Sequence, residues 1–313
     1  WYEFPYVQLD ENTLQVTIID GGAGDDDGLV NNIIADDLGI TGGWSDDSFT
    51  YRLAFNVTNT AGELRDFQMY IDLNDSIFNF STANDNLSDV RITYYNTSAD
   101  TETPLPYWIE DESKNYSAGN YTVRVWFRTP YLANDTQTTH FLYYGDADAQ
   151  SESNGSAVFI YFDDFEDGIG FDSGNMIQTQ NSSSARFGNY GLHGDGQSSY
   201  DSAYVSGLNT TQDVIAESWV RSQQPSGGTE VSLAAITLGR NPTGADESGY
   251  QGYIDERGAP YYGIRLNFNN GDILDSADAP STTWDTWYFH QLTWTSNDQI
   301  TFKLFDEDLQ QLG

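Results

Sequence analysis

The chain has 313 residues, with 48 acidic and 12 basic side chains and a formal net charge of −36. That balance argues against nucleic acids and anionic membranes as partners, since both are held by clustered Lys and Arg. With no cysteine there is no disulfide, thiolate metal site or thiol nucleophile, and no apolar run reaches the roughly 18 residues of a membrane-spanning helix. The length suggests two domains and a fragment of a third. Asp outnumbers Glu by 35 to 13, and Lys occurs only at Lys114 and Lys303. Such a surface keeps hydrated carboxylates facing solvent, which suits high salt or a calcium-rich exterior. Turn residues punctuate the chain every ten or so positions, and 15% of it is aromatic, the profile of an all-β protein.

Residues 1–44 hold one good strand, Leu14 to Ile19, then a Gly/Asp-rich loop from Asp20 to Gly28. Asp36 to Ile40 could form one turn of helix at most. So few apolar positions cannot fold alone, so this segment is expected to complete another sheet or to end a preceding domain. Residues 45–162 form a second set of strands. Leu53, Phe55 and Val57 alternate with Arg52, Ala54 and Asn56, and Val123, Val125 and Phe127 alternate with Arg124, Trp126 and Arg128. Period-two patterning marks a strand with one buried face. Residues 163–313 form a third set, in which Leu292 and Trp294 alternate with Gln291, Thr293 and Thr295. The chain begins at Trp1 rather than Met and stops soon after the strand Ile300 to Phe305, and so reads as a piece of something longer. A set of strands that stops mid-pattern leaves an edge open to strand exchange with a second copy.

Three stretches resemble known families. Tyr51-Arg52, Asn59 to Gly62, Asp66-Phe67, Asp89-Val90-Arg91-Ile92, Leu105 to Glu110, Val123 to Trp126, Tyr143-Tyr144-Gly145 and Ser153-Asn154-Gly155 occur in the order of a β-sandwich module of unknown function. That module is found in archaeal and bacterial surface proteins and has no established catalytic residues. Phe162 to Gly168, Gly191 to Gly194, Glu217 to Val220 and Trp287 to Trp294 resemble the strands of a concanavalin A-like, laminin-G-like jelly roll. Trp1 to Tyr6, Thr17 to Gly22 and Gly24 to Gly28 are similar to the end of a small anchor-type β domain of secreted proteins. The resemblances imply tandem β-sandwiches, the last an incomplete jelly roll or one completed by a neighbour.

Eleven Asn-X-Ser/Thr sequons start at Asn56, Asn74, Asn79, Asn86, Asn96, Asn115, Asn120, Asn134, Asn154, Asn181 and Asn209. They are expected acceptors of N-glycans in a secreted chain. Calcium takes oxygen ligands from several carboxylates on a bent loop. Asp20, Asp25 and Asp27 among glycines have that composition, without EF-hand spacing. Asp163, Asp164 and Glu166 are a second group, with Asp164 and Glu166 on one face of an extended chain. The jelly-roll resemblance implies a structural calcium near that second edge.

Catalytic signatures are missing. A retaining glycosidase needs two carboxyls about 5–5.5 Å apart, which a Glu-x-Asp-x-Glu strand would supply. The nearest approaches, Glu110-Asp111-Glu112 and Asp306-Glu307-Asp308, read as solvated strand ends. His140 and His290 fall inside strands beside aromatics, the usual place of a structural histidine. The sequence therefore points to a non-enzymatic, N-glycosylated, structural or adhesive surface protein of archaeal type. A cell-envelope layer, a filament or a stalk would use such a chain. Its partners would be copies of itself or surface glycans, and its only cofactor structural calcium. The alternatives are a set of carbohydrate-binding modules from a larger secreted enzyme, or a virion fibre or spike.

Overall fold

The computed structural model describes residues 6–10, 13–16, 48–60, 62–97, 99, 101–117, 120–168, 173–174, 176–179, 184–194, 203–205, 208, 213–222, 233–238, 250–255, 261–266, 272–278, 282–297 and 299–312. Its regular structure is almost entirely antiparallel β-sheet, as alternation and turn spacing predict. Two compact units divide the chain. One comprises Trp1–Trp108 and Asn115–Ser153, the other Ile109–Lys114 and Asn154–Gly313. The divide precedes the expected boundary at Asp163. Asn154 caps the short helix α1 (Gly155–Val158), its Oδ1 accepting the Ala157 N–H at 3.2 Å, and this turn groups with the second unit. No helix among the described residues is long and apolar enough to cross a membrane.

The first unit opens with a hairpin of β1 (Tyr6–Asp10) and β2 (Thr13–Val16). The Asp20–Gly28 loop and the Asp36–Ile40 turn lie outside the described residues. Seven further strands follow: β3 (Tyr51–Asn59), β4 (Leu64–Asn74), β5 (Arg91–Asn96), β6 (Thr101–Leu105), β7 (Tyr107–Ser117), β8 (Asn120–Leu132) and β9 (Thr136–Tyr144), with residues 109–114 of β7 grouping with the second unit. They form sheets in the orders β3-β9-β5-β6 and β4-β8-β7. The alternation places faces as expected. Val123, Val125 and Phe127 are buried, and Ala54, Asn56 and Thr58 are exposed. The sheets meet where Phe55 of β3 contacts Phe127 of β8 edge-on, with centroids 5.6 Å apart. Fully burying such side chains contributes about 1.5–3 kcal/mol each. One expectation fails here. Glu110 to Glu112 do not end a strand but lie within β7, the last strand in the order β4-β8-β7.

The second unit carries the short strands β10 (Ser173–Gly174), β11 (Ile177–Thr179), β12 (Gly191–His193) and β13 (Ala203–Tyr204). The longer ones are β14 (Val214–Arg221), β15 (Leu233–Leu238), β16 (Tyr250–Asp255), β17 (Tyr261–Leu266), β18 (Asp272–Asp278), β19 (Trp287–Trp294) and β20 (Ile300–Phe305). They form the sheets β14-β19-β20 and β15-β16-β17-β18. The two tryptophan-bearing stretches of the sequence pair directly, with Trp219 opposite Phe289. Tyr288, His290 and Leu292 form the buried face of β19. With Ile254, Phe302 and Leu304 they make the core. A Cβ at Gly252 would run into the Phe302 ring. The glycine thus lets that ring lie directly on the β16 backbone.

Candidate functional site

The acidic turn at 163–167 is bent, not extended. Phe165 adopts a left-handed φ of 64°. The Phe165 N–H donates to Asp163 Oδ1 at 2.8 Å, and the Glu166 N–H to Asp164 Oδ1 at 3.2 Å. These Asx turns fold the chain back on itself. One carboxylate oxygen each from Asp163, Asp164 and Asp167 then lies within 4.8 Å of the other two. Asp163 is half-buried, and its second oxygen accepts the Tyr161 hydroxyl at 3.0 Å. Asp164 and Asp167 are exposed.

The bend separates Glu166 from the other carboxylates of the turn. Glu166 does not join Asp163 and Asp164. Its carboxylate accepts the Asn189 N–H at 2.7 Å, the Asn189 amide at 2.9 Å and the Tyr190 N–H at 2.8 Å. The Asn189 side chain, then the two backbone N–H groups, hold its pKa below the usual carboxylate range. Gly188 makes this possible, since it has φ +66° and a Cβ there would strike the carboxylate. Asp167, not Glu166, lies near Asp163 and Asp164. The signal for it was Gly168, next in sequence and at φ 129°, which marks a turn rather than a strand. Three clustered carboxylates on a bend are the donor chemistry that calcium takes, with carbonyls or water completing its shell. Asp20, Asp25 and Asp27 lie outside the described residues.

The charged and hydroxyl groups of the segment around β5 hold backbone. Asp89 is fully buried and accepts the Gly145 N–H at 2.7 Å and the Asn84 N–H at 3.0 Å. Arg91 donates to the carbonyls of Ser88, Val90 and Gln150 at 2.7–2.9 Å, and to the Tyr107 hydroxyl at 3.1 Å. It also pairs with Glu152 at 3.2 Å. The Tyr107 hydroxyl accepts the Glu152 N–H at 3.2 Å, and burial pushes this phenol's pKa up. Together these groups fasten residues 145–152 to β5. Separately, the near-buried Glu102 accepts from Thr93 Oγ1 at 2.6 Å, the Tyr143 hydroxyl at 2.7 Å and Arg52 at 3.1 Å. It links β6 to β5, β9 and β3.

Most of the described sequons lie at turns or strand ends. Asn79, Asn86, Asn134 and Asn154 are exposed in turns, and Asn56 on the outer face of β3. Asn74 and Asn96 are half-buried at the ends of β4 and β5. In three of them the Asn Oδ1 accepts the N–H of the sequon's own serine. These are Asn74 with Ser76 at 3.0 Å, Asn79 with Ser81 at 3.2 Å and Asn86 with Ser88 at 3.1 Å. Asn115 and Asn120 lie on β7 and β8. Asn181 and Asn209 lie outside the described residues. The histidines are placed as expected: His140 is fully buried with Phe55 stacked at 5.5 Å, and His290 fully buried with Phe302 edge-on at 5.1 Å.

A family model described as a domain of unknown function (DUF2341) matches residues 86–174. The match covers well under half the chain. It spans Asp89, Arg91, Glu102, Tyr107 and the acidic turn at 163–167. It does not reach the earlier resemblances at Tyr51-Arg52, Asn59 to Gly62 and Asp66-Phe67. No curated protein and no solved structure matches the chain.

Proposed function

We propose that the chain is a non-enzymatic structural and adhesive part of an N-glycosylated extracellular surface protein of archaeal type. The observation that carries this reading is the use made of polar groups in the family segment. Asp89, Arg91, Glu102 and Tyr107 are each engaged in tying strands and loops together. The acidic surface and the turn-borne sequons support an extracellular setting. The second unit is read as a concanavalin A-like jelly roll on its sequence resemblance, and its antiparallel sheets are compatible with that reading.

Glycan use is read on native material. Glycopeptide mapping is expected to find N-glycans on several of the eleven sequons, concentrated between Asn56 and Asn134. Unmodified asparagine at every mapped sequon would count against the N-glycosylated part of this reading.

Calcium held by Asp163, Asp164 and Asp167 belongs to the same reading. Extracellular modules bind it at roughly 10⁻⁴–10⁻³ M, so millimolar calcium adds about 1 kcal/mol of stability. Melting in calcium, magnesium and EDTA at matched ionic strength is expected to show a calcium-specific rise. Asp164→Asn and Asp167→Asn abolish that rise. Glu166→Gln lowers the melting temperature but keeps it. A rise equal in magnesium and indifferent to both Asp substitutions would leave only charge screening.

A further inference from the structure

We infer that the first unit carries a binding groove for a neutral pyranose. The groove, about 690 Å³, lies between the 3₁₀ turn Phe80–Thr82 and the neighbouring ends of β8 and β9. That volume is in the range of small-ligand sites, roughly 300–1,000 Å³. One wall is aromatic. Phe80 and Tyr121 stack with centroids 5.5 Å apart and planes 28° from parallel. Both are only partly buried, and Ile77 beside them is 43% exposed. The wall is braced from behind, because buried Phe78 meets Phe80 at 4.8 Å and Tyr144 at 4.3 Å. Asp75 Oδ2 accepts the Tyr121 N–H at 2.8 Å, which fixes the start of β8.

The rim is polar and supplies mainly acceptors. Asp75, Asn79 and Asp85 line it, all exposed. The Asn79 Oδ1 is taken by the Ser81 N–H and hydroxyl, at 3.2 and 2.8 Å, which leaves its amide N–H groups as donors. A ligand for this groove therefore brings an apolar face for the rings and hydroxyls for the rim. A pyranose has both: its C–H face packs on an aromatic ring, and each hydroxyl can donate to a carboxylate and accept from an amide. Two carboxylates at the rim of a chain of charge −36 exclude uronic, sialic and phosphorylated sugars. The sugar could come from the chain's own sequons at Asn74 or Asn86, on the same segment, or from another molecule.

The inference adds a ligand class to the adhesive reading, and it is tested on purified protein, so it fails or stands apart from any cell-surface result. The full chain made in a host without glycosylation is titrated with cellotetraose, chitotetraose and mannotriose, followed by saturation-transfer NMR. At least one probe is expected to bind through its ring protons. Phe80→Ala raises its Kd about tenfold, and Asp85→Ala, at an exposed position, weakens it with the melting temperature unchanged. Native glycosylated chain that binds only after enzymatic deglycosylation identifies its own glycan as the occupant. Binding before deglycosylation identifies an external one. Failure of all three probes, transfer unaffected by both substitutions, or binding of choline in place of the sugars would overturn the assignment.

Discussion

Acidification from pH 7 to pH 4 is expected to strip several kcal/mol from each unit through one histidine in each. Burial lowers the pKa of His140 to about 4 and of His290 to about 3, from an ordinary 6.5. His140 is enclosed by Phe55, Tyr94 and Phe127, with its Nε2 3.4 Å from Thr129 Oγ1. Neither ring nitrogen of His290 has a hydrogen-bond partner among the described residues. Both rings fold neutral, so below pH 6.5 the unfolded chain binds more protons than the folded one. Stability from this source is complete above pH 6.5 and is lost as pH falls toward the folded values. Each depressed unit of pKa is worth about 1.4 kcal/mol. Protonating surface carboxylates relieves self-repulsion and works in the opposite direction, so the comparison is made with a variant. Relative to wild type, the His140→Leu/His290→Leu chain is expected to gain stability by up to about 2.7 kcal/mol per pH unit on acidification, two protons' worth. A difference constant from pH 7 to pH 4 would mean that the histidines titrate alike in both states.

Removing the Glu102 carboxylate is expected to destabilise the first unit by about 3–5 kcal/mol. Glu102→Ala removes the carboxylate that accepts from the hydroxyls of Thr93 and Tyr143, residues 2% and 1% exposed, and that pairs with Arg52. Arg52 keeps its place over the Phe141 ring, 4.2 Å from the centroid, so the cation cannot simply swing into solvent. Denaturant unfolding with a first-unit probe reads the loss. The Arg52→Leu/Glu102→Leu pair is expected to cost less than Glu102→Ala, because removing both charges is milder than orphaning one. A loss under about 1 kcal/mol would place the pair with ordinary surface bridges.

Alternation made the strands legible. Val123, Val125, Phe127 and Leu292 read as buried faces and are buried, because period two is a property of the strand itself. The same rule misplaced Glu166. Alternation holds only while the chain is extended, and Asx turns at Asp163 and Asp164 break it there. Strand β7 was partly hidden because Glu110, Asp111 and Glu112 read as a solvated strand end, whereas the strand runs on to Ser117. The fastening of Arg91 to Gln150 and Glu152 spans about sixty residues of sequence. The motif residues were visible, but no local pattern states which distant backbone they hold. The groove was equally hidden, since Phe80 and Tyr121 meet only once β4 and β8 pair.

The surface assignment is tested most directly by immunogold labelling of intact source cells with antibody to the folded chain. The account predicts gold on unpermeabilised cells or on structures projecting from them, at a density that permeabilisation does not raise. Label that appears only after permeabilisation would contradict it.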